Sequence, residues 1–488
     1  MNYGRVAHIL GTFCCFISAM LSVPLLVAYL HGEAEAYRAF GIPIAVGFVG
    51  GLILRRVFKG ASRNLYRREG LLIVTACWLA AAILGAVPFV LSGMIPNLED
   101  AFFESMSGFT TTGSTILRDI DEHGLNDRGL MFWRSMTQWL GGMGIVVLFV
   151  AVLPALGVGG RLLYQFEAPG VETDDLKPRI RDTALALWKI YLVMSAAEAS
   201  LLMIAGLDLY DAVVHTFSTV ATGGFSTYSG SIGGFDSAAV EIIITAFMFL
   251  AGVNFTLYFR ARRDGLRHFI RDPEFKTYVG IMVVMVVITV SMLLSRGDYE
   301  HGGRATLDGA FTVVAVGTGT GYGTADFETW PTALRIMLVM LMFVGGSAGS
   351  TAGGMKVFRI MLVVKYIGHE FRRFIRPHRV RTMLVGGHEV SDEVMRNVLA
   401  FFAVSILLFA GSTVAISVMD PDIDMETATT SVVATLWNIG PGLGAVGPTD
   451  NYADLPGPGK VLLTFLMLFG RLEVFTAMVI FMPGLYRD

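Results

Sequence analysis

Ten apolar stretches, at 6–30, 39–58, 70–93, 131–156, 184–207, 238–259, 275–295, 332–368 with an interruption, 394–419 and 459–483, are long enough to cross about 30 Å of hydrocarbon as helices. Little of the 488-residue chain is left for a domain in water. The expected class is therefore an all-α polytopic membrane protein with ten transmembrane helices. Composition agrees: 54% of residues are hydrophobic and 16% charged, against about 25% charged in a typical soluble domain. A net charge of −3 with no basic domain excludes nucleic acid as a partner. The first run follows only Arg5, exceeds a signal-peptide core and lacks a small-residue cleavage site, so it is expected to stay as a span. Cys14, Cys15 and Cys77 lie in apolar runs without metal-ligand spacing and are expected as free thiols.

Three short loops are strongly basic. They carry Arg55, Arg56, Lys59, Arg63, Arg67 and Arg68; Arg260, Arg262, Arg263, Arg267, Arg271 and Lys276; and Lys365, Arg372, Arg373, Arg376, Arg379 and Arg381. The excess of Lys and Arg on cytoplasmic loops places these inside, and with ten spans both termini are then cytoplasmic. Opposite loops are acidic, with Glu99, Asp119, Asp121, Glu122 and Asp127 in one and Asp420, Asp422 and Asp424 in another. Such residues concentrate cations or simply solvate a loop.

Four segments between spans are too apolar for ordinary loops and too short to cross. They read DAFFESMSGFTTTGST (100–115), DAVVHTFSTVATGGFS (211–226), DGAFTVVAVGTGTGYG (308–323) and TATTSVVATLWNIGPG (427–442). The interval from Asp100 to Gly113, Asp211 to Gly224, Asp308 to Gly321 and Thr427 to Gly440 is 13 residues each time. A unit of span, short helix, glycine-containing loop and span therefore recurs four times. The chain divides into two leading helices (1–69) and four units (70–160, 161–262, 263–381 and 382–488). Irregular backbone cannot face lipid with its amides unsatisfied, so the four loops must be buried together or line a water-filled path. Four such pseudo-repeats of helix, pore helix, filter loop and helix around one axis make a central pore.

The third loop, G-T-G-Y-G at 319–323, is close to the T-V-G-Y-G filter of potassium channels, in which carbonyl oxygens replace an ion's hydration shell. Glycine lets consecutive carbonyls face one way, through torsions that a Cβ makes costly. The expected filter residues are Thr111, Thr112 and Gly113; Thr222, Gly223 and Gly224; Gly319, Thr320 and Gly321; Asn438, Ile439 and Gly440. K⁺ is expected at Thr112, Gly113, Gly223, Gly224, Thr320, Gly321, Ile439 and Gly440. Short helices ending here aim their negative C-terminal ends at the cavity beneath.

With GFTTTGSTIL, TVATGGFST, FVGGSAGSTAGGMKV and LWNIGPGLGAVGPT, the fourfold unit and its two leading spans resemble the Trk/Ktr/HKT superfamily of potassium transport proteins, most closely the TrkH type, over nearly the whole chain. The resemblance implies a homodimeric, channel-like K⁺ uptake subunit in the lipid bilayer of a bacterial inner membrane. It also implies gating by a cytosolic nucleotide-binding regulatory ring of TrkA type. Serine at the first filter position favours Na⁺ in that superfamily, and Gly113 stands there in this chain.

GGSAGSTAGG at 345–354 interrupts a span near midplane, and Arg471 lies in an otherwise apolar one. A charge there is functional by default. The resemblance assigns Gly345, Gly346, Gly349, Gly353 and Gly354 to an intramembrane gating loop and Arg471 to the pore. A packed kink and an Arg471–Glu473 pair are the plain alternatives. Glu198, Lys189, Glu241 and Lys356, also in or at spans, are expected to pair between helices. An ion-coupled secondary symporter of K⁺ or Na⁺, working by alternating access, is the runner-up, because broken helices often hold ions. An enzyme is not expected: no H-E-x-x-H, G-x-S-x-G or paired intramembrane aspartates occur. No cofactor is implied, K⁺ being the transported ion.

Overall fold

The computed structural model describes residues 1–61, 65–144, 180–297, 299, 301–376, 383–478 and 482. Residues 145–156 of the fourth expected span, the end of the last, the boundary at 160/161, and Arg63, Arg379 and Arg381 lie outside the described residues.

Helices Tyr3–Met20 and Ser22–Leu30 run on as one apolar span, and Ala36–Val57 returns beside it. Their backbones touch where side chains vanish: a methyl group on Gly51 would lie 2.5 Å from the Gly11 carbonyl oxygen. Small residues at such a crossing allow the close approach that drives helix association in lipid.

Four long helices follow, Arg67–Ser92, Ile180–Ile204, Pro273–Arg296 and Asp392–Met419. Each leads to a short helix: Leu98–Phe109, Leu209–Val220, Gly302–Gly317 and Met425–Leu436. Asp208 and Asp424 cap the second and fourth by accepting from the backbone N–H of Asp211 (2.7 Å) and Thr427 (2.8 Å). A glycine-containing loop leads on to a returning helix: Arg128–Gly142, Ala238–Ala251, Thr332–Val344 and Gly457–Arg471. The packing runs in a cycle. The first short helix lies on the fourth returning helix, the second on the first, the third on the second and the fourth on the third.

Three features differ from expectation. Residues 238–259 and 459–483 do not form single straight spans. Ala238–Ala251 stops, Asn254 accepts from the N–H of Thr256 (2.8 Å) to start a new helix at Phe255, and the two are bent by 87°. Gly457–Arg471 stops likewise, and Glu473 and Val474 take positive φ before Phe475–Met478. The first returning helix also ends early, at Gly142, followed by Gly144 with φ +72°. Among the described residues, the interruption anticipated at 345–354 is thus accompanied by helix ends at Gly142, Ala251 and Arg471. Among the described residues six helices are long and apolar enough to cross a membrane, or seven with the bent pair as one. The third difference is a two-stranded hairpin, Leu384–Val385 with His388–Glu389, in a chain expected to be all-α. Gly386 and Gly387 at φ +59° and +89° supply its turn, whose twist suits a hairpin. Among the described residues Cys14, Cys15 and Cys77 form no disulfide.

Gly141 is the tightest of these approaches: a methyl group there would lie 1.8 Å from the carbonyl oxygen of Phe109. Gly280 faces open space, with nothing within 4 Å of the same atom. Gly141→Ala should therefore lower stability by about 1–3 kcal/mol or more through overpacking, and Gly280→Ala should change it by less than about 1 kcal/mol. Thermal unfolding in detergent of the two variants checks the difference.

Candidate cation site

All four short helices end in the same turn. One residue is left-handed, Thr111 (φ +54°), Thr222 (+55°), Gly319 (+70°) or Asn438 (+54°). The next donates its N–H five residues back: Thr112 to Ser107 (2.9 Å), and Gly223 to Ser218, Thr320 to Ala315 and Ile439 to Ala434 at 2.8 Å. This is a Schellman ending. The residue after that is left-handed again: Gly113 (+85°), Gly224 (+79°), Gly321 (+75°) and Gly440 (+103°). The sequence predicts the second set. It misses that three side-chain-bearing residues occupy the first, at a cost of about 1 kcal/mol or more each.

The loops close on one another. A methyl group on Gly113 would lie 2.2 Å from the carbonyl oxygen of Gly223, on Gly224 1.9 Å from that of Thr320, on Gly321 2.0 Å from that of Ile439, and on Gly440 2.9 Å from that of Thr112. The chain of contacts goes from loop to loop in order and returns to its start. Gly113, Gly224, Gly321 and Gly440 all line one cavity of about 100 Å³. On the other side lies a cavity of about 90 Å³, lined by Gly142, Gly353, Asn438 and Arg471 among others. The twelve expected filter residues are thus brought together.

Groups behind the ring were not anticipated. Gln138 donates Nε2–H to the Gly223 carbonyl (2.7 Å) and accepts from the N–H of Phe225 (3.1 Å). The hydroxyls of Ser114 and Tyr452 both donate to the Gly440 carbonyl at 2.9 Å. Asn438 donates Nδ2–H to Thr112 Oγ1 (2.8 Å) and the Met467 carbonyl (2.9 Å), and the Tyr322 hydroxyl reaches the carbonyls of His215 and Phe225. Among the described residues the carbonyls of Thr112, Gly113, Gly224, Thr320, Gly321 and Ile439 accept no hydrogen bond. Carbonyl oxygens without a donor are the kind of group that coordinates a cation. Polar side chains at helical spacing around apolar runs were the available signal for these supports.

Beneath the ring, Arg471 donates to Thr111 Oγ1 (3.1 Å) and to the carbonyls of Thr351 (3.0 Å), Gly141 and Gly142 (2.8 Å). Glu473 does not pair with it but with Arg359. The 345–354 segment is stitched to its surroundings. Ser347 N–H donates to Gly252 (2.9 Å), Gly349 accepts from Phe255 N–H (3.0 Å), Gly354 N–H donates to Trp437 (2.9 Å), and Ala348 N–H donates to the Glu274 carboxylate (2.6 Å). Gly346 accepts from Val357 N–H (2.9 Å), while Gly345, at φ +71°, and Gly353 leave no room for a methyl group against neighbouring carbonyls. Of the other intramembrane charges, Glu241 pairs with Arg304 at 2.9 Å and Lys356 donates to the Ala352 carbonyl. Lys189 is exposed, and Glu198 is buried with neither carboxylate oxygen hydrogen-bonded among the described residues.

A family model described as TrkH, cation transport protein, matches residues 44–485. The Trk system potassium uptake protein TrkH of Halomonas elongata is 40% identical over 494 residues, and that of Escherichia coli K12 40% over 492, all of both chains being covered. The potassium uptake protein TrkG of Escherichia coli K12 is 33% identical over 99% of this chain and 98% of its own. A crystal structure of the potassium transporter TrkH from Vibrio parahaemolyticus superimposes over all of both chains with a TM-score of 0.88 at 35% identity. Matched along its length in sequence and in backbone, the chain belongs to the TrkH family of cation transport proteins.

Proposed function

We propose that this protein takes up potassium ions across a bacterial inner membrane through a channel-like pore. The pore is built by ten transmembrane helices and four pseudo-repeats, with both termini in the cytoplasm. The observation that carries the reading is the closed cycle of glycine-to-carbonyl contacts between the four loops, with free carbonyls and a cavity on either side. The residues from Thr111 to Gly113, Thr222 to Gly224, Gly319 to Gly321 and Asn438 to Gly440 form the filter, and backbone oxygens hold the dehydrated ion. The segment from Gly345 to Gly354, together with Arg471, obstructs the path below and acts as the gate. The working unit is a homodimer governed by a cytosolic nucleotide-binding ring of TrkA type. The names of the relatives, potassium uptake proteins of the Trk system, support the cargo and a multicomponent system.

A second reading, alternating-access symport, draws on the breaks in the returning helices, since discontinuous helices hold ions in many transporters. Single-channel recording on reconstituted protein separates the two: discrete unitary currents support the pore, and flux without them supports the symporter.

Three outcomes follow from the pore. Gly113→Ser adds a side chain 2.2 Å from the Gly223 oxygen, so the ring must deform and Na⁺ should compete better for uptake. Unchanged competition per folded protein would remove Gly113 from the filter. Shortening 345–354 should raise flux in protein that still folds; a fall would identify that segment as a packed kink. At about 6 Å and an effective dielectric of 20 to 40, a guanidinium repels a passing monovalent cation by about 1–3 kcal/mol, roughly ten- to hundredfold in rate. Arg471→Ala should raise K⁺ flux per folded dimer, and Arg471→Lys should keep most of the barrier. Equal flux in all three forms, with a lower melting temperature for alanine, would make Arg471 a tie between helices.

A further inference from the structure

Just outside the ring, two opposite charges are withdrawn from water. Glu104 on the first short helix and Arg134 on the first returning helix meet at 2.6 Å from Nε to Oε1, with side chains 0% and 2% exposed. A buried pair is a liability unless its remaining lone pairs and protons are used. Here they are shared with the backbone that leaves the filter. Glu104 Oε1 accepts from the hydroxyl of Thr115 (3.0 Å), and Oε2 accepts from the N–H of Ile116 (3.0 Å). Arg134 donates to the Ser226 carbonyl (3.0 Å), and its guanidinium lies 3.5 Å over the ring of Phe225.

Thr115 and Ile116 come two and three residues after Gly113, while Phe225 and Ser226 come one and two after Gly224. One ion pair therefore holds the exits of two adjacent filter loops. Neutral groups also tie neighbouring loops: Tyr322 spans loops two and three, and the Ser114 hydroxyl on the Gly440 carbonyl and the Tyr452 N–H on the Thr115 carbonyl (2.8 Å) span loops one and four. We infer that the Glu104–Arg134 pair is a positioning element that fixes the spacing of the first two loops and thereby sets how well the filter rejects Na⁺. This rests on the filter reading above. K⁺ and Na⁺ carry the same charge, so a ring of oxygens separates them only by spacing and field strength. A network whose members are all satisfied is rigid enough to hold that spacing.

The two sides of the pair can be weakened without removing it. Glu104→Gln leaves one acceptor oxygen where three donors converge and turns an NH₂ group toward a donor. Arg134→Lys keeps the charge but replaces the planar fork, whose Nε and Nη1 serve Glu104 and Ser226 separately, with a single nitrogen on a flexible stem. Full-length protein in proteoliposomes is assayed for K⁺ and Na⁺ uptake per folded protein, with Gly113→Ser as reference. Thr115→Val, which deletes one hydrogen bond at similar volume, stands in if a charge variant does not fold. The expected result is a roughly five- to tenfold fall in the K⁺/Na⁺ ratio for Glu104→Gln and Arg134→Lys, of the size found for residues that act through a neighbour. Loss of stability alone would not move that ratio. A wild-type ratio in these variants, with a lowered ratio in Gly113→Ser, overturns the positioning role and leaves the filter standing. A wild-type ratio in all of them overturns the filter and the positioning role together.

Discussion

Backbone that runs inside a membrane without belonging to a helix must find an acceptor for every N–H, and how four loops do so decides what they can hold. Each spends its first N–H groups backwards. Thr111 and Thr112, Thr222 and Gly223, Gly319 and Thr320, and Asn438 and Ile439 all donate into the last turn of the short helix they leave. Gly321 does the same to Ala315. Donors are consumed locally, and the carbonyls of Thr112, Gly223, Thr320 and Ile439 are left facing the neighbouring loops. A surface made this way offers oxygens and hides hydrogens, so it suits a cation and rejects an anion before any charged side chain is considered.

The same economy governs what stands behind the loops. Asp211 accepts from the Thr227 hydroxyl (3.2 Å) and Asp308 from that of Thr324 (2.8 Å), an identical separation of 16 residues in two units. Asp211 sits in the first turn of its short helix and Asp308 further inside its own, and both fasten the segments that leave the loops. They belong to the frame. Burial of the short helices on nearly every side depends on the returning helices approaching closely, which Gly108, Gly141 and Gly142 permit by presenting no side chain.

Much of this was legible in the sequence, for a physical reason in each case. Long apolar runs announce spans because hydrocarbon sets a minimum length, and the 13-residue interval announces the loops because a left-handed turn at fixed distance from a helix start calls for glycine. What stayed hidden was decided by contacts between distant segments. Thr111, Thr222 and Asn438 are ordinary residues held left-handed by the turns around them. Glu104 and Arg134 sit 30 positions apart, and neither stands out from its neighbours until the fold joins them. The helix ends at Gly142, Ala251 and Arg471 lie in stretches that the hydropathy pattern carries straight through as spans. Only the run of ten small and hydroxyl residues at 345–354 is broken by its own composition. Hydropathy measures whether a segment can lie in lipid, and it carries no information about where that segment stops being a helix.

The breaks and the charge beneath the filter belong to one electrostatic arrangement. Four short helices end at the ring, and each C-terminus carries roughly half a negative charge, so their sum near the cavity is on the order of −2. A dehydrated cation is favoured there, and one held too firmly would not leave. Arg471 contributes a single permanent positive charge at that level, and its guanidinium is held by carbonyls at the end of the first returning helix, Gly141 and Gly142, and by that of Thr351 in the non-helical 345–354 segment. Thr351 lies in the non-helical segment and Gly142 is the last residue of its helix, while the Gly141 carbonyl serves both the guanidinium and the N–H of Gly144 (2.9 Å). Helix ends and irregular backbone thus meet at one arginine beneath the four loops, and its charge offsets about half of the field that the short helices create.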